Sequence, residues 1–184
     1  MTDEVTFDAE LRVVPVDPVA YRKSVQAMER ELARARQSGE VTVALLRGPG
    51  FGRMALRDLT AAKRLLTEAL ELARAEDHPH RLVATLINLG DAYRYGGESA
   101  RAEPCYEQAQ RLAQERCPEL IDYALQHLGK HRIDTGELDV AETLLMEALE
   151  IRREKGDPDL IASTEQTLEY CALRRDLADP SANR

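Results

Sequence analysis

The sequence predicts an all-α protein, a right-handed α-solenoid of antiparallel helix pairs with about eight helices. Three observations predict it. Prolines recur as Pro79, Pro118 and Pro158, at intervals of 39 and 40 residues. Glycines recur on the same period, Gly90 with Gly129 and Gly97 with Gly136, each pair 39 apart. The apolar content is mostly Ala and Leu, with two Phe, six Tyr and no Trp. Such residues favour helices and pack helix on helix better than they fill a sheet sandwich.

The elements follow in order. Residues 1–16, at the chain terminus, are expected to be loose. Residues 17–38 place Val25, Met28, Leu32 and Ala35 on one face, which predicts an amphipathic helix capping the stack. A repeat domain over 39–177 then divides into units of about 41–77, 79–116 and 118–156, followed by a capping helix over 158–177. Each proline suits the first turn of a helix, where its missing N–H is no loss. First helices are thus predicted over 79–95, 118–134 and 158–176, and second helices over 59–76, 99–115 and 138–155. The first helix of the first unit, VTVALLRGPGFGRMAL, contains Pro49, which predicts a bend or break. Residues 178–184 read as a flexible tail.

Within the units, Gly90 and Gly129 fall mid-helix, where glycine costs about 1 kcal/mol against alanine. That repeated cost predicts a close helix crossing, with Ala102 and Ala141 on the facing helix. Leu86, Leu89, Gly90, Tyr93, Ala102, Tyr106 and Ala109, repeated in part as Leu125, Leu128, Gly129, Ala141, Leu145 and Ala148, resemble the tetratricopeptide repeat signature. Arg132 stands where that pattern has an aromatic. The period exceeds the usual of about 34 residues, so the chain is similar to long-period arrays found beside bacterial signalling ATPase and activator domains. The resemblance covers roughly residues 41–176.

The resemblance implies a protein or peptide partner held on the concave face, which the first helix of each unit lines. Carried over by register, that face holds Ala44, Arg47, Phe51, Met54 and Ala55 of the first unit. Ala84, Ile87, Asp91, Arg94 and Tyr95 come from the second, and Tyr123, Gln126, Lys130, Ile133 and Asp134 from the third. The partner-binding set expected from this is Arg47, Phe51, Ile87, Asp91, Arg94, Tyr95, Tyr123, Gln126, His127 and Lys130. An exposed cluster of Phe51, Ile87, Tyr95 and Tyr123 would mark a binding surface. One subtype of the family clamps a C-terminal carboxylate with Lys and Asn. Asn88 and Arg47 stand at two of those positions, but Phe51, Tyr123 and His127 occupy the others, and a clamp is not supported.

Other chemistries find little footing. The net charge of −8 disfavours a nucleic-acid partner. Cys105, Cys117 and Cys171 are scattered and form neither a CxxC pair nor a disulfide framework. His127 and His131 lie four apart on one helix, yet no third metal ligand accompanies them. GPGFGR at 48–53 is glycine-rich but lacks the Lys-Ser/Thr ending of a phosphate loop. No cofactor and no catalytic constellation is expected. No apolar run approaches the ~18 residues of a membrane span, and a cytoplasmic protein is expected. The function implied is a non-catalytic interaction module. The alternatives are a peptide or small-signal sensor acting on a separate effector, and a structural homo-oligomer.

Overall fold

The computed structural model describes residues 4–178, and the outer part of the expected C-terminal tail, residues 179–184, lies outside them. Eight α-helices are present among the described residues: α1 (Pro18–Ser38), α2 (Val43–Ala55), α3 (Leu59–Ala75), α4 (Pro79–Tyr95), α5 (Ser99–Arg116), α6 (Ile121–Thr135), α7 (Leu138–Lys155) and α8 (Pro158–Ala178). Consecutive helices pack as pairs, α2 with α3, α4 with α5 and α6 with α7, and α1 and α8 cover the two ends. The first helices also touch in a row, α2 to α4, α4 to α6 and α6 to α8. They form one layer, and the second helices form the other.

Local chemistry sets the helix ends. Asp17 accepts from the amides of Val19 and Ala20, Thr42 from Leu45, and Asp58 from Ala61. These side chains satisfy N–H groups that a helix cannot pair internally. Pro79 opens α4 as expected. Pro118 instead opens a single 3-10 turn, Pro118–Leu120, that leads into α6. At the turns after α4 and α6, Gly97 and Gly136 adopt φ of 71° and 82°, a region that only glycine enters at no steric cost. That requirement explains the 39-residue spacing of Gly97 and Gly136.

The core runs the length of the stack. Ala62, Ala69, Ala102, Ala109, Ala141 and Ala148, all 0% exposed, are the small residues that let the helices approach. At Gly90 an added Cβ would stand 2.7 Å from the Tyr106 ring, and at Gly129 2.8 Å from Leu145. The crossing is real, but what stands nearest the glycines is these large side chains rather than the predicted alanines: Ala102 is not among the atoms nearest Gly90, and at Gly129 Ala141 contributes only its backbone carbonyl, at 3.5 Å. Pro49 is buried inside α2, which runs through it as one helix rather than breaking. A Cβ at Gly50 would meet Leu66 and one at Gly52 would meet Val25 at 2.5 Å. The glycines of GPGFGR therefore admit α3 and α1 rather than making a hinge.

The largest departure from the sequence reading is at the start of the chain. Where a loose segment and no β-structure are expected, β1 (Val5–Phe7) and β2 (Val13–Pro15) pair antiparallel, with Val5 opposite Pro15 and Phe7 opposite Val13. The Asp8 carboxylate accepts from the amides of Glu10 and Arg12 and ties the connecting turn. Strands of three residues are too short for alternation to be legible, and a lone two-stranded hairpin is marginal in water. This one is held by what it lies on.

Candidate partner-binding groove

The first-helix layer brings most of the sequence-predicted residues to one face, in two different states. At one end two hollows meet. One is lined by Arg47, Val83, Ala84, Ile87, Asn88, Leu120, Tyr123 and His127. The other is lined by Tyr21, Met28, Ala44, Arg47, Gly48, Phe51 and Asn88. Arg47 and Asn88 belong to both, so the two form one continuous groove. Arg47 and Phe51 are half-buried, and Tyr123 is 36% exposed. Burial lowers the Arg47 guanidinium below its ordinary pKa, and no carboxylate among the described residues pairs with it. Ile87, expected to be exposed, is buried at 6%, because α4 is flanked by both α2 and α6.

The other end of the face is filled. Asp91, Arg94, Tyr95, Gln126 and Lys130 are all buried rather than open. Neighbouring helices account for part of this. Asp91 accepts from the Tyr106 hydroxyl at 2.7 Å and lies 2.9 Å from His127 Nδ1. Arg94 donates to Asp134 at 3.0 Å. Burial alone would raise the Asp91 carboxyl, but His127, Arg94 and Tyr106 outweigh it and hold the carboxyl at about 2. Gln126 donates to Thr167 at 3.0 Å and so serves the seam between α6 and α8. His131, the second histidine of the sequence pair, is fully buried, with its ring centroid 5.4 Å from that of Tyr106. Burial lowers its pKa, and neither of its ring nitrogens has a hydrogen-bond partner among the described residues.

The N-terminal hairpin accounts for the rest. The Val13 amide donates to the Tyr95 hydroxyl at 2.8 Å. Arg57 pairs with Asp8 at 2.7 Å, and the Phe7 ring centroid lies 4.5 Å from Lys130 Nζ. Glu10 and Arg12 border a further hollow with Arg94, Asp134, Tyr170 and Arg174. Leu11, at the turn, is 5% exposed and has φ of 56°, a left-handed conformation rare for a leucine. Tyr95, expected on an open surface, is thus an anchoring point for the chain's own segment. Burial and the Asp91 charge push its hydroxyl above the ordinary tyrosine range.

Lys130 has an unusual position. It is 4% exposed, and no carboxylate among the described residues lies within ion-pair distance. Burial first, then Arg94 and Arg152, push its ammonium down to about 8 against the opposing pull of Asp91. The folded state releases this proton more readily than the unfolded chain, whose lysine keeps its ordinary value of 10.5. The unfolded state therefore binds more protons between those values, and the cost of burying the charge is full below about 8 and is relieved as pH rises toward 10.5. Lys130→Met is expected to stabilise the protein by ~1–3 kcal/mol at neutral pH. The advantage over the native chain should shrink steadily up to pH 10.5 in urea titrations. A difference independent of pH would show that the ammonium carries no such penalty.

Residues 41–115 match the family model described as tetratricopeptide repeat. That span covers α2 to α5 except the final residue of α5, and the same pairing continues through α6 and α7 beyond it. No curated protein matches the chain. Among the described residues no helix is long and apolar enough to cross a membrane.

Proposed function

We propose that this tetratricopeptide-repeat chain is a non-catalytic interaction module that takes an extended segment of a partner protein in the groove along α2, α4 and α6. The observation that carries this reading is the open end of the groove. A half-buried Arg47, without a carboxylate partner among the described residues, lies there beside Asn88, with Phe51 on one side and Tyr123 and His127 on the other. Partly desolvated arginine and aromatic side chains are the residue types that dominate interface energetics. An arginine held in this way without a carboxylate is costly unless a ligand supplies the partner. The Asp91 carboxylate, already bonded to Tyr106 and His127, does not serve it.

Panning a peptide-display library against the full chain is expected to enrich a shared motif. Arg47→Glu together with Tyr123→Ala should then weaken that peptide by roughly thirtyfold, corresponding to ~2 kcal/mol for hot-spot residues. Neither side chain is part of the repeat core, so the helical circular dichroism should be unchanged. A library that enriches nothing, or a peptide indifferent to both substitutions, would move binding off this face.

A further inference from the structure

The hairpin is seated as a ligand would be. An extended backbone gives an N–H to a groove side chain, Val13 to the Tyr95 hydroxyl, and main-chain bonding of this kind is how extended peptides gain affinity. Leu11 and Val13 are buried, whereas Val5, Thr6 and Phe7 of β1 are exposed. The seat is incomplete in one respect. Lys130 is buried beneath the hairpin and meets an aromatic ring, Phe7, instead of a carboxylate. The hairpin's own acids are committed elsewhere, Asp8 to Arg57 and Glu10 to Arg12. Arg47, further along the same face, also has no carboxylate partner among the described residues. The protein is acidic overall, at −8, yet no carboxylate among the described residues pairs with Arg47 or Lys130 in the groove.

We propose that residues 5–15 mask this end of the groove in cis, and that an extended acidic segment of a partner protein displaces them and sets a carboxylate against Lys130 where the Phe7 ring now lies. A charge-assisted hydrogen bond then replaces a cation–π contact, which is the stronger arrangement for a desolvated ammonium. The partner's apparent affinity is reduced by the fraction of molecules in which the hairpin is seated. The inference rests on the groove reading above and adds to it the chemistry of the partner and the segment that competes with it.

The test uses the full chain and two short fluorescein-labelled peptides, one alternating valine with glutamate and the other valine with lysine, followed by anisotropy. Phe7→Ala and Leu11→Ala loosen the hairpin from two separate points, and Phe7→Glu supplies a carboxylate to Lys130 in cis. The valine–glutamate peptide is expected to bind both loosened variants roughly tenfold more tightly than the native chain, the mask having been removed. It should bind Phe7→Glu more weakly than the native chain. Adding Lys130→Met to Phe7→Ala should abolish the gain. Amide exchange at Val13 should accelerate when the peptide is added to the native chain, which reads displacement directly.

Equal affinity for the native chain and both loosened variants overturns the mask. Preference for the valine–lysine peptide overturns the acidic partner. If neither peptide binds any variant while the display-selected peptide still binds, this inference fails and the groove reading stands. If the display selection also fails, the groove reading falls with it.

Discussion

Arg152→Ala is expected to cost about 3–5 kcal/mol, the largest loss of any single change considered, because it leaves a carboxylate buried without its main partner. Arg152 on α7 is 2% exposed and Asp122 on α6 is fully buried. The guanidinium donates to Asp122 at 2.9 Å, to Thr164 at 2.8 Å and to the Leu160 carbonyl at 3.2 Å, so one side chain joins α6, α7 and α8. Lys155 also reaches Asp122, but its partly exposed ammonium cannot fill the space that Arg152 occupies. Replacing both members, Arg152→Met with Asp122→Leu, should recover much of the loss, since a buried pair exchanged for apolar groups is often neutral. Urea denaturation of the three proteins decides it. If Arg152→Ala alone is within experimental error of the native chain, the three-helix joint contributes nothing.

Gly90→Leu and Gly129→Leu are expected to follow, at ~1–3 kcal/mol or more each, from overpacking. The two sites differ in how their neighbours can yield. At Gly129 the obstacle is Leu145, a side chain able to change rotamer. At Gly90 it is the Tyr106 ring, whose hydroxyl is tied to the buried Asp91 at 2.7 Å. Moving the ring breaks that bond and disturbs the Asp91–His127 pair, so Gly90→Leu should be the worse of the two. Glu154→Leu, at an exposed position of α7, serves as the control and should change stability little. Equal melting temperatures for all three would mean that α4 and α5, and α6 and α7, do not cross at these glycines.

Much of the groove's address was legible before the structure, though not its state. Register along the repeat put Arg47, Ile87 and Tyr123 on neighbouring first helices, and all three line one hollow, with Ile87 buried rather than exposed. It could not say that Asp91 is bonded by Tyr106, a residue of the second helix that the family pattern treats simply as an aromatic. Nor could it see that Gln126 turns to Thr167 in α8. Those partnerships depend on side-chain reach across helices, and spacing along one helix carries no trace of it.

Periodicity in the sequence determined the helix pairs, their order and their tight crossings. The reason is that each helix repeats the same local demands: a proline or capping side chain at its start, a glycine with positive φ at its turn, and small residues where a neighbour must approach. What only the tertiary structure decided is the fate of the binding face. Residues 5–15 have no repeat partner and too few residues per strand to show a period. Their structure comes from contacts far along the chain, Val13 with Tyr95, Asp8 with Arg57 and Phe7 with Lys130. A segment that is marginal by itself acquires its shape from the surface it covers.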